Sequence, residues 1–143
     1  MDDVSAGDVI QTPSHLVTRE DIDQFAALTG DVFAIHMDED AARDYGFAGR
    51  VAHGLLVLSM VDGLKNQAEA QLDAIASLGW NLQFTAPVLA GDSISASLTI
   101  ESLRATSDGH DGMRRGIAIV DVTVQNQKGE IVQKGQNTLL IKR

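Results

Sequence analysis

The chain contains no cysteine and only two prolines among its 143 residues. The lack of cysteine excludes disulfide bonds, thiolate metal sites and cysteine nucleophiles, and it is compatible with a reducing cytoplasm, where we expect the protein to work. Basic residues are also scarce, with 11 against 20 acidic ones and a formal net charge of -9. A surface of this charge repels nucleic acid and anionic membranes, so we expect neither as a partner.

Long apolar runs and phosphate-binding motifs are missing as well. No stretch reaches the roughly 18 apolar residues that a membrane span needs, and the acidic start MDDVSAGD has no signal-peptide pattern. Neither a glycine-rich phosphate loop nor a Gly-x-Ser-x-Gly elbow occurs. Hydrophobic residues make up 44% of the chain, and their even spread predicts one compact domain over residues 1–143.

The first half of the chain has helical patterns. Thr18 and Asp21 have capping-box spacing, and Gly30 is suited to end the helix that they begin. Asp38 is a second candidate cap, so residues 31–37 are predicted to connect two helices. From Gly54 to about residue 72, a pattern that is apolar and then amphipathic predicts the longest helix.

The second half alternates with the period of strands. Strands are predicted near residues 80–88, 94–100, 115–124 and 131–141, with one more at residues 9–17. Helices segregated from strands indicate an α+β fold, with a curved antiparallel sheet around the long helix. Such a sheet leaves an exposed edge, which pairing with a second copy would protect, so we expect a homodimer or a higher homo-oligomer.

Asp31 and His36 raise a geometric problem. They lie five residues apart, which is too far for one helical turn and the wrong parity for one face of a strand. Taken alone, Asp after a helix-ending glycine is commonly a turn former, and a lone histidine is commonly a packing residue.

The segment around this pair resembles a known family. ALTGDVFAIHMDEDAARDYGFAGRVAHGLL, residues 27–56, is similar to the signature of the MaoC-like (R)-specific enoyl-CoA hydratases, which runs Thr/Ser-Gly-Asp, Asn-Pro, an aliphatic residue, His, and later Ala-His-Gly. The resemblance implies a hot dog fold, a homodimer and an acyl-CoA substrate. It also implies that Asp31 and His36 are the catalytic acid/base pair and that the amide of Gly54 polarises the thioester carbonyl.

These residue types suit the hydration of an enoyl thioester. An Asp and a His can hold one water between them and share proton transfer, with the roles of acid and base left open. The amide of Gly54, at the positive end of the long helix, would stabilise the enolate oxygen. A glycine there also allows the substrate to approach the backbone closely.

The sequence departs from the family pattern at Phe33-Ala34, where the signature has Asn-Pro. Losing both residues removes a stiffening proline and an amide that could hydrogen-bond within the site. Our hypothesis is that Phe33 either packs in the core or narrows the acyl pocket.

Three further residues are candidate substrate contacts. Arg50 lies just before the helix start and is a candidate cation for coenzyme A, although an exposed solubilising charge is an equal alternative. His53 is expected to pack or hydrogen-bond near the helix start and to help hold the loop that carries His36. Ser59 is a candidate that commonly bonds its own backbone instead. The four histidines lack metal-ligand spacing, so we predict no metal, and no cofactor besides coenzyme A in the substrate.

The resemblance favours a hydratase or dehydratase that adds water reversibly to a trans-2-enoyl-CoA and gives an (R)-3-hydroxyacyl-CoA. A hot dog thioesterase is one alternative, and it would need Asp62 or Glu69 as the carboxylate on the long helix. A subunit that binds acyl thioesters without catalysis is another. Fold alone does not separate these three functions.

Overall fold

A computed structural model describes residues 4–143 of the chain. The first three residues of the predicted domain and of the acidic start lie outside this range. The described residues form four helices and six strands. In chain order they are β1 (Val9–Gln11), β2 (His15–Leu16), α1 (Arg19–Thr29), α2 (Ala34–Met37), α3 (Glu39–Asp44), α4 (Gly54–Lys65), β3 (Ala74–Phe84), β4 (Ser93–Ala105), β5 (Arg115–Asn126) and β6 (Ile131–Lys142).

The strands form one antiparallel sheet in the order β1-β4-β5-β6-β3, and β2 also pairs with β4. One side of the sheet covers α4, whose buried residues include Val57 and Val61. They share a core with alternate strand residues such as Ile94 and Val122. The long helix and the sheet therefore bury each other, as the α+β prediction requires.

The predicted helix caps are confirmed. The Thr18 hydroxyl accepts a hydrogen bond from the Asp21 amide, and the Asp21 carboxylate accepts one from the Thr18 amide, both at 3.0 Å. Burial raises the pKa of Asp21, but hydrogen bonds from Thr18 and His15 outweigh it and leave the pKa below its usual value. Gly30 ends α1 in the left-handed conformation, and Asp38 caps α3. These caps set the entry and exit of the segment that carries Asp31.

The prediction that α4 reaches about residue 72 is wrong, because the helix ends at Lys65. The amide of Asn66 bonds to the oxygen of Gly63, three residues back, which tightens the last turn. Gln71 then donates its side-chain amide to the oxygens of Asn66 and Ala68, so these carbonyls are satisfied outside a helix. None of the helices in residues 4–143 combines the length and the hydropathy that a membrane crossing requires.

Two predicted strands have different bounds in the structure, and both differences lie near a proline. The strand expected at residues 9–17 is split into β1 and β2, with Pro13 between them. The strand expected at residues 80–88 begins earlier, at Ala74, and ends at Phe84, ahead of Pro87. Proline has no amide to donate to a strand ladder. The two amides after Phe84 also both donate to the oxygen of Val132, which ends the regular pairing.

Candidate active site

Asp31 and His36 lie on two different local structures. Asp31 is exposed and follows Gly30, the residue that ends α1. The prediction that residues 31–37 form only a connection is wrong, because residues 34–37 are the short helix α2 and His36 lies on it. The Asp31 carboxylate accepts a hydrogen bond from the amide of Phe33, just before α2. The turn after α1 and the start of α2 are thereby joined.

The fold brings the side chains of Asp31 and His36 close together, although their spacing in the sequence does not. A carboxylate oxygen of Asp31 and one ring nitrogen each of His36 and His53 all lie within 4.8 Å of one another. A water that bonds to two such groups at about 2.8 Å each holds them about 4.6 Å apart. The spacing of Asp31 and His36 therefore allows them to share one water, whereas His53 is already bonded to the Asp31 backbone.

His36 is held through both its ring and its backbone. Its Nδ1 lies 2.6 Å from the carbonyl oxygen of Val51. A carbonyl only accepts hydrogen bonds, so Nδ1 carries the proton and the neutral ring keeps a lone pair on Nε2. Arg50 donates from Nε to the oxygen of His36 at 2.6 Å and pairs with Asp23 of α1. These contacts hold the imidazole and α2 against α1.

His53 connects the start of α4 to the Asp31 loop. It is 2% exposed, and its Nε2 donates to the main-chain oxygen of Asp31 at 2.8 Å. Its ring stacks on His36 with centroids 3.9 Å apart and contacts Phe25 of α1 at 4.9 Å. Its Nδ1 is buried without a hydrogen-bond partner. As expected, His53 packs near the helix start and holds the loop.

Gly54 begins α4 and shares a cavity with His36. No described side chain caps this helix, and the amides of its first turn have no intrahelical partners. A cavity of about 320 Å³ opens beside them. Its lining is mostly apolar and comprises His36, Phe47, Val51, Ala52, Gly54, Val57, Phe84, Thr85, Ala86, Pro87, Val88 and Gln133. A helix N-terminus and an imidazole therefore face one pocket suited to an apolar chain.

Of the sequence candidates, His36 and Gly54 line this cavity, and Asp31 and His53 do not. Phe33 is 66% exposed, so the expectation that it packs in the core is wrong, and it is not among the cavity residues. Ser59 is exposed and donates to the oxygen of Leu55 at 2.7 Å, the backbone bond that was the common alternative. Arg50 is largely buried in its contacts with Asp23 and His36, which favour a structural role. Its contact with coenzyme A stays a prediction.

Asp31, His36 and His53 are close enough to suggest a metal site, but the two rings are badly oriented for one. An imidazole binds a metal in the plane of its ring. The rings of His36 and His53 are stacked with only 25° between their planes, so their lone pairs do not converge on one ion. This geometry supports the prediction of no metal, which stays a prediction.

Sequence reasoning missed Phe84 and Gln133 as residues of the site. Both line the cavity, and they face each other across the β3–β6 pair. Phe84 fits the ordinary alternation of a strand, so nothing in its local pattern marks it. Gln133 is a glutamine that is 2% exposed within a strand. Residues 133–138 of this strand are all polar or glycine, so no local signal marked Gln133 as buried.

A comparison with known protein families shows which family the chain belongs to. A family model described as "MaoC like domain" matches residues 4–126. The chain belongs to the MaoC-like family. This confirms the resemblance at residues 27–56.

MaoC-like relatives have several different names. Protein MaoC of Klebsiella aerogenes is 40% identical over 99 residues, which cover 68% of this chain and 29% of that protein. A mitochondrial 3-hydroxyacyl-[acyl-carrier-protein] dehydratase of Arabidopsis thaliana is 30% identical over 73% of this chain and 61% of its own length. The (R)-specific enoyl-CoA hydratase of Aeromonas caviae is 37% identical over 56% of this chain and 59% of its own. The chain thus spans less than two thirds of each of these relatives.

The solved structures identify the fold of this MaoC-like chain. A Mycobacterium tuberculosis protein described as a double hot dog fold aligns with a TM-score of 0.87, at 22% identity, over 99% of this chain and 43% of that one. A MaoC-like dehydratase from Rhodospirillum rubrum aligns with a TM-score of 0.84, at 25% identity, over 100% of this chain and 96% of that one. The predicted hot dog fold is confirmed.

Gly54→Ala should destabilise the protein by about 1–3 kcal/mol, because an added Cβ would overlap the ring of Phe84. In a Phe84→Ala background the same change should cost much less. Urea unfolding of the wild type, both single variants and the double variant measures this coupling. Gly63→Ala is the matched control on α4, where the added Cβ meets nothing within 4 Å. Additive losses at Gly54 and Phe84 would contradict the contact.

Proposed function

We propose that this protein is a hydratase or dehydratase that adds water reversibly to a trans-2-enoyl thioester of coenzyme A and gives the (R)-3-hydroxyacyl product. The observation that carries the proposal is the grouping of Asp31 with His36 within 4.8 Å, beside a cavity that His36 shares with the helix start at Gly54. The names of the hydratase and dehydratase relatives support it.

In the proposed reaction, the water is held between Asp31 and His36. The lone pair on Nε2 of His36 takes one proton from this water, and Asp31 accepts its second hydrogen as a hydrogen bond. The hydroxyl oxygen bonds to the β-carbon, the double-bond electrons move towards the thioester oxygen, and the α-carbon then takes the proton from the imidazolium. Atoms and charge balance, because the two parts of one water end on adjacent carbons.

The amide of Gly54 would donate a hydrogen bond to the thioester oxygen and so stabilise the negative charge that develops on it. It is the first residue of a helix of 12 residues, so the helix dipole adds to its hydrogen bond. The apolar walls of the cavity, including Val57 and Val88, would exclude water from the acyl chain. We further propose that the reaction needs no metal, and no cofactor besides the coenzyme A of the substrate, and that it takes place in the cytoplasm.

The thioesterase alternative has little support from its own candidates. Asp62 pairs with Lys65 at 2.7 Å and is not a cavity residue. Glu69 lies beyond the end of α4 at Lys65. Neither carboxylate is positioned to direct water at a thioester bound near Gly54. The non-catalytic binding subunit remains an outcome of the assay below.

The edge strand β3 supports a homodimer. None of its residues is buried in the single chain, and large apolar side chains such as Leu78, at 54%, are exposed. A long unpaired edge with apolar side chains needs protection, and pairing with a second copy supplies it. We therefore propose that β3 forms the subunit interface.

Purified protein incubated with crotonyl-CoA should lose enoyl absorbance without releasing free thiol. This pair of readings separates the three functions, because hydration removes the double bond and hydrolysis releases coenzyme A. Thiol release would favour the thioesterase. If a panel of enoyl-CoA chain lengths gave neither change, the protein would be a binding subunit and the hydratase proposal would be wrong.

Asp31→Asn and His36→Gln should each lower kcat by about 10²–10⁴-fold, with little change in KM, because both groups act on the water and not on the bound chain. Steady-state rates with crotonyl-CoA measure this. Asp44→Asn and His110→Gln are controls of the same residue types at exposed positions outside the cavity. Near-normal turnover in either site variant would remove that residue from the mechanism.

Leu78→Lys should convert the protein from a dimer to a monomer of about 15.3 kDa, because it puts a charge at the centre of the β3 edge. Light scattering after size-exclusion chromatography measures the mass. Val9→Lys on β1, at the opposite edge and 55% exposed, is the control and should leave the mass unchanged. A Leu78→Lys protein that keeps the mass of the wild type would show that β3 is not the interface.

A further inference from the structure

Gln133 lies on the inward face of β6 with the alternate buried residues Asn137, Leu139 and Ile141, and it follows directly on a bulge. Val124 of β5 pairs with Gln133, and the next residue, Gln125, pairs with Ile131, so Val132 is an extra residue in the ladder. Val132 and Gln133 are consecutive and both fully buried, whereas a regular strand turns neighbours to opposite faces. Bulges near active sites commonly re-aim one side chain. Here the bulge turns Val132 inward beside Gln133, so two neighbouring side chains of β6 are buried.

The side-chain amide of Gln133 bonds to the first residue of α4. Its Nε2 donates to the carbonyl oxygen of Gly54 at 2.8 Å. The carbonyl can only accept, so the nitrogen and not the oxygen of the amide faces it. The other end of the amide, Oε1, is buried and has no hydrogen-bond partner. Leaving an acceptor unsatisfied costs stability, so packing alone is a poor explanation for a glutamine at this position.

The carbonyl oxygen of Gly54 also has a partner within α4, so the bond from Gln133 is a second one. The oxygen of His53 accepts the first bond of the α4 ladder, from the amide of Val57, and the oxygen of Gly54 is the next acceptor, for the amide four residues later. Removing Gln133 would therefore leave no orphaned carbonyl. The bond restrains Gly54 rather than satisfying it.

Phe84 holds the same glycine from the neighbouring strand. It pairs directly with Gln133 across β3 and β6, and its ring lies against the Cα of Gly54. A glycine has wide backbone freedom, and Gly54 has no capping side chain to limit it. Two adjacent residues of the sheet thus supply the restraint that the glycine itself lacks.

We propose that Gln133 is a positioning residue, which fixes the backbone of Gly54 so that its amide points at the place where charge develops on the thioester oxygen. This inference rests on the proposed hydratase function. Gln133 acts through Gly54 and takes no proton itself. Its loss would therefore weaken transition-state stabilisation without impairing the fold.

Gln133→Leu tests the role, because leucine fills a similar volume and removes both the donor and the unsatisfied acceptor. We expect kcat with crotonyl-CoA to fall by up to about 10²-fold, KM to change little, and the melting temperature to stay equal or rise. Gln136→Leu is the matched control on the same strand, since its amide bonds to Glu101 and Asp121 away from the cavity. It should keep the kcat of the wild type.

A spectroscopic reading separates positioning from packing. Crotonyl-CoA labelled with ¹³C at the carbonyl should have a lower carbonyl stretching frequency when bound to the slow His36→Gln variant than when free in solution. Adding Gln133→Leu to this variant should reverse part of that shift. If Gln133→Leu does not fold, Gln133→Met replaces it in both measurements. An active enzyme whose kcat and carbonyl frequency do not change on losing Gln133 would overturn the positioning role. A wild-type protein inactive on every enoyl-CoA would instead overturn the proposed function.

Discussion

The hydrogen bond from the His53 ring to the main-chain oxygen of Asp31 is the constraint on which the site depends. It spans 22 positions in the chain and joins the start of the buried helix to the turn after α1. Residues such as Val57 and Val61 hold α4 in the core, so the hydrogen bond from His53 also fixes the position of the Asp31 turn. The ring of His53 also stacks on His36, and this contact helps to fix the position of α2.

Arg50 reinforces the same arrangement from the other side. It reaches the oxygen of His36 and the carboxylate of Asp23 with one guanidinium group. Arg19 likewise contacts Glu39, and thus links α1 to α3. The acidic chain uses its few cations to assemble the three helices around the site, and a planar guanidinium with several donors is suited to that task.

Features that depend on neighbouring residues could be predicted from the sequence. The capping box at Thr18, the left-handed glycine at position 30 and the alternation in β4 all follow from local chemistry. The pairing of Asp31 with His36 was different, because only the resemblance of the surrounding segment indicated it. Local geometry argued against that pair, and tertiary contacts brought it together.

The rest depended on partners distant in the chain. The end of α4 is set by side-chain bonds after Lys65 that a hydropathy pattern does not contain. The exposure of Phe33 depends on how α2 lies against its neighbours, and a large aromatic residue favoured burial in the sequence reading. Gln133 was missed because residues 133–138 are polar or glycine and show no hydrophobic alternation, and because its partner, the oxygen of Gly54, is distant in the chain.

The edge strand β3 has a double role that follows from its last residue. Phe84 ends the strand whose outer side is unpaired in the single chain, and its ring also lies on Gly54. Any displacement of this strand is therefore transmitted to the first turn of α4 through one aromatic ring. In the β3 dimer that we propose, subunit association would be mechanically linked to the helix start, and by thermodynamic reciprocity a ligand there that depends on the place of this ring would also shift the association equilibrium.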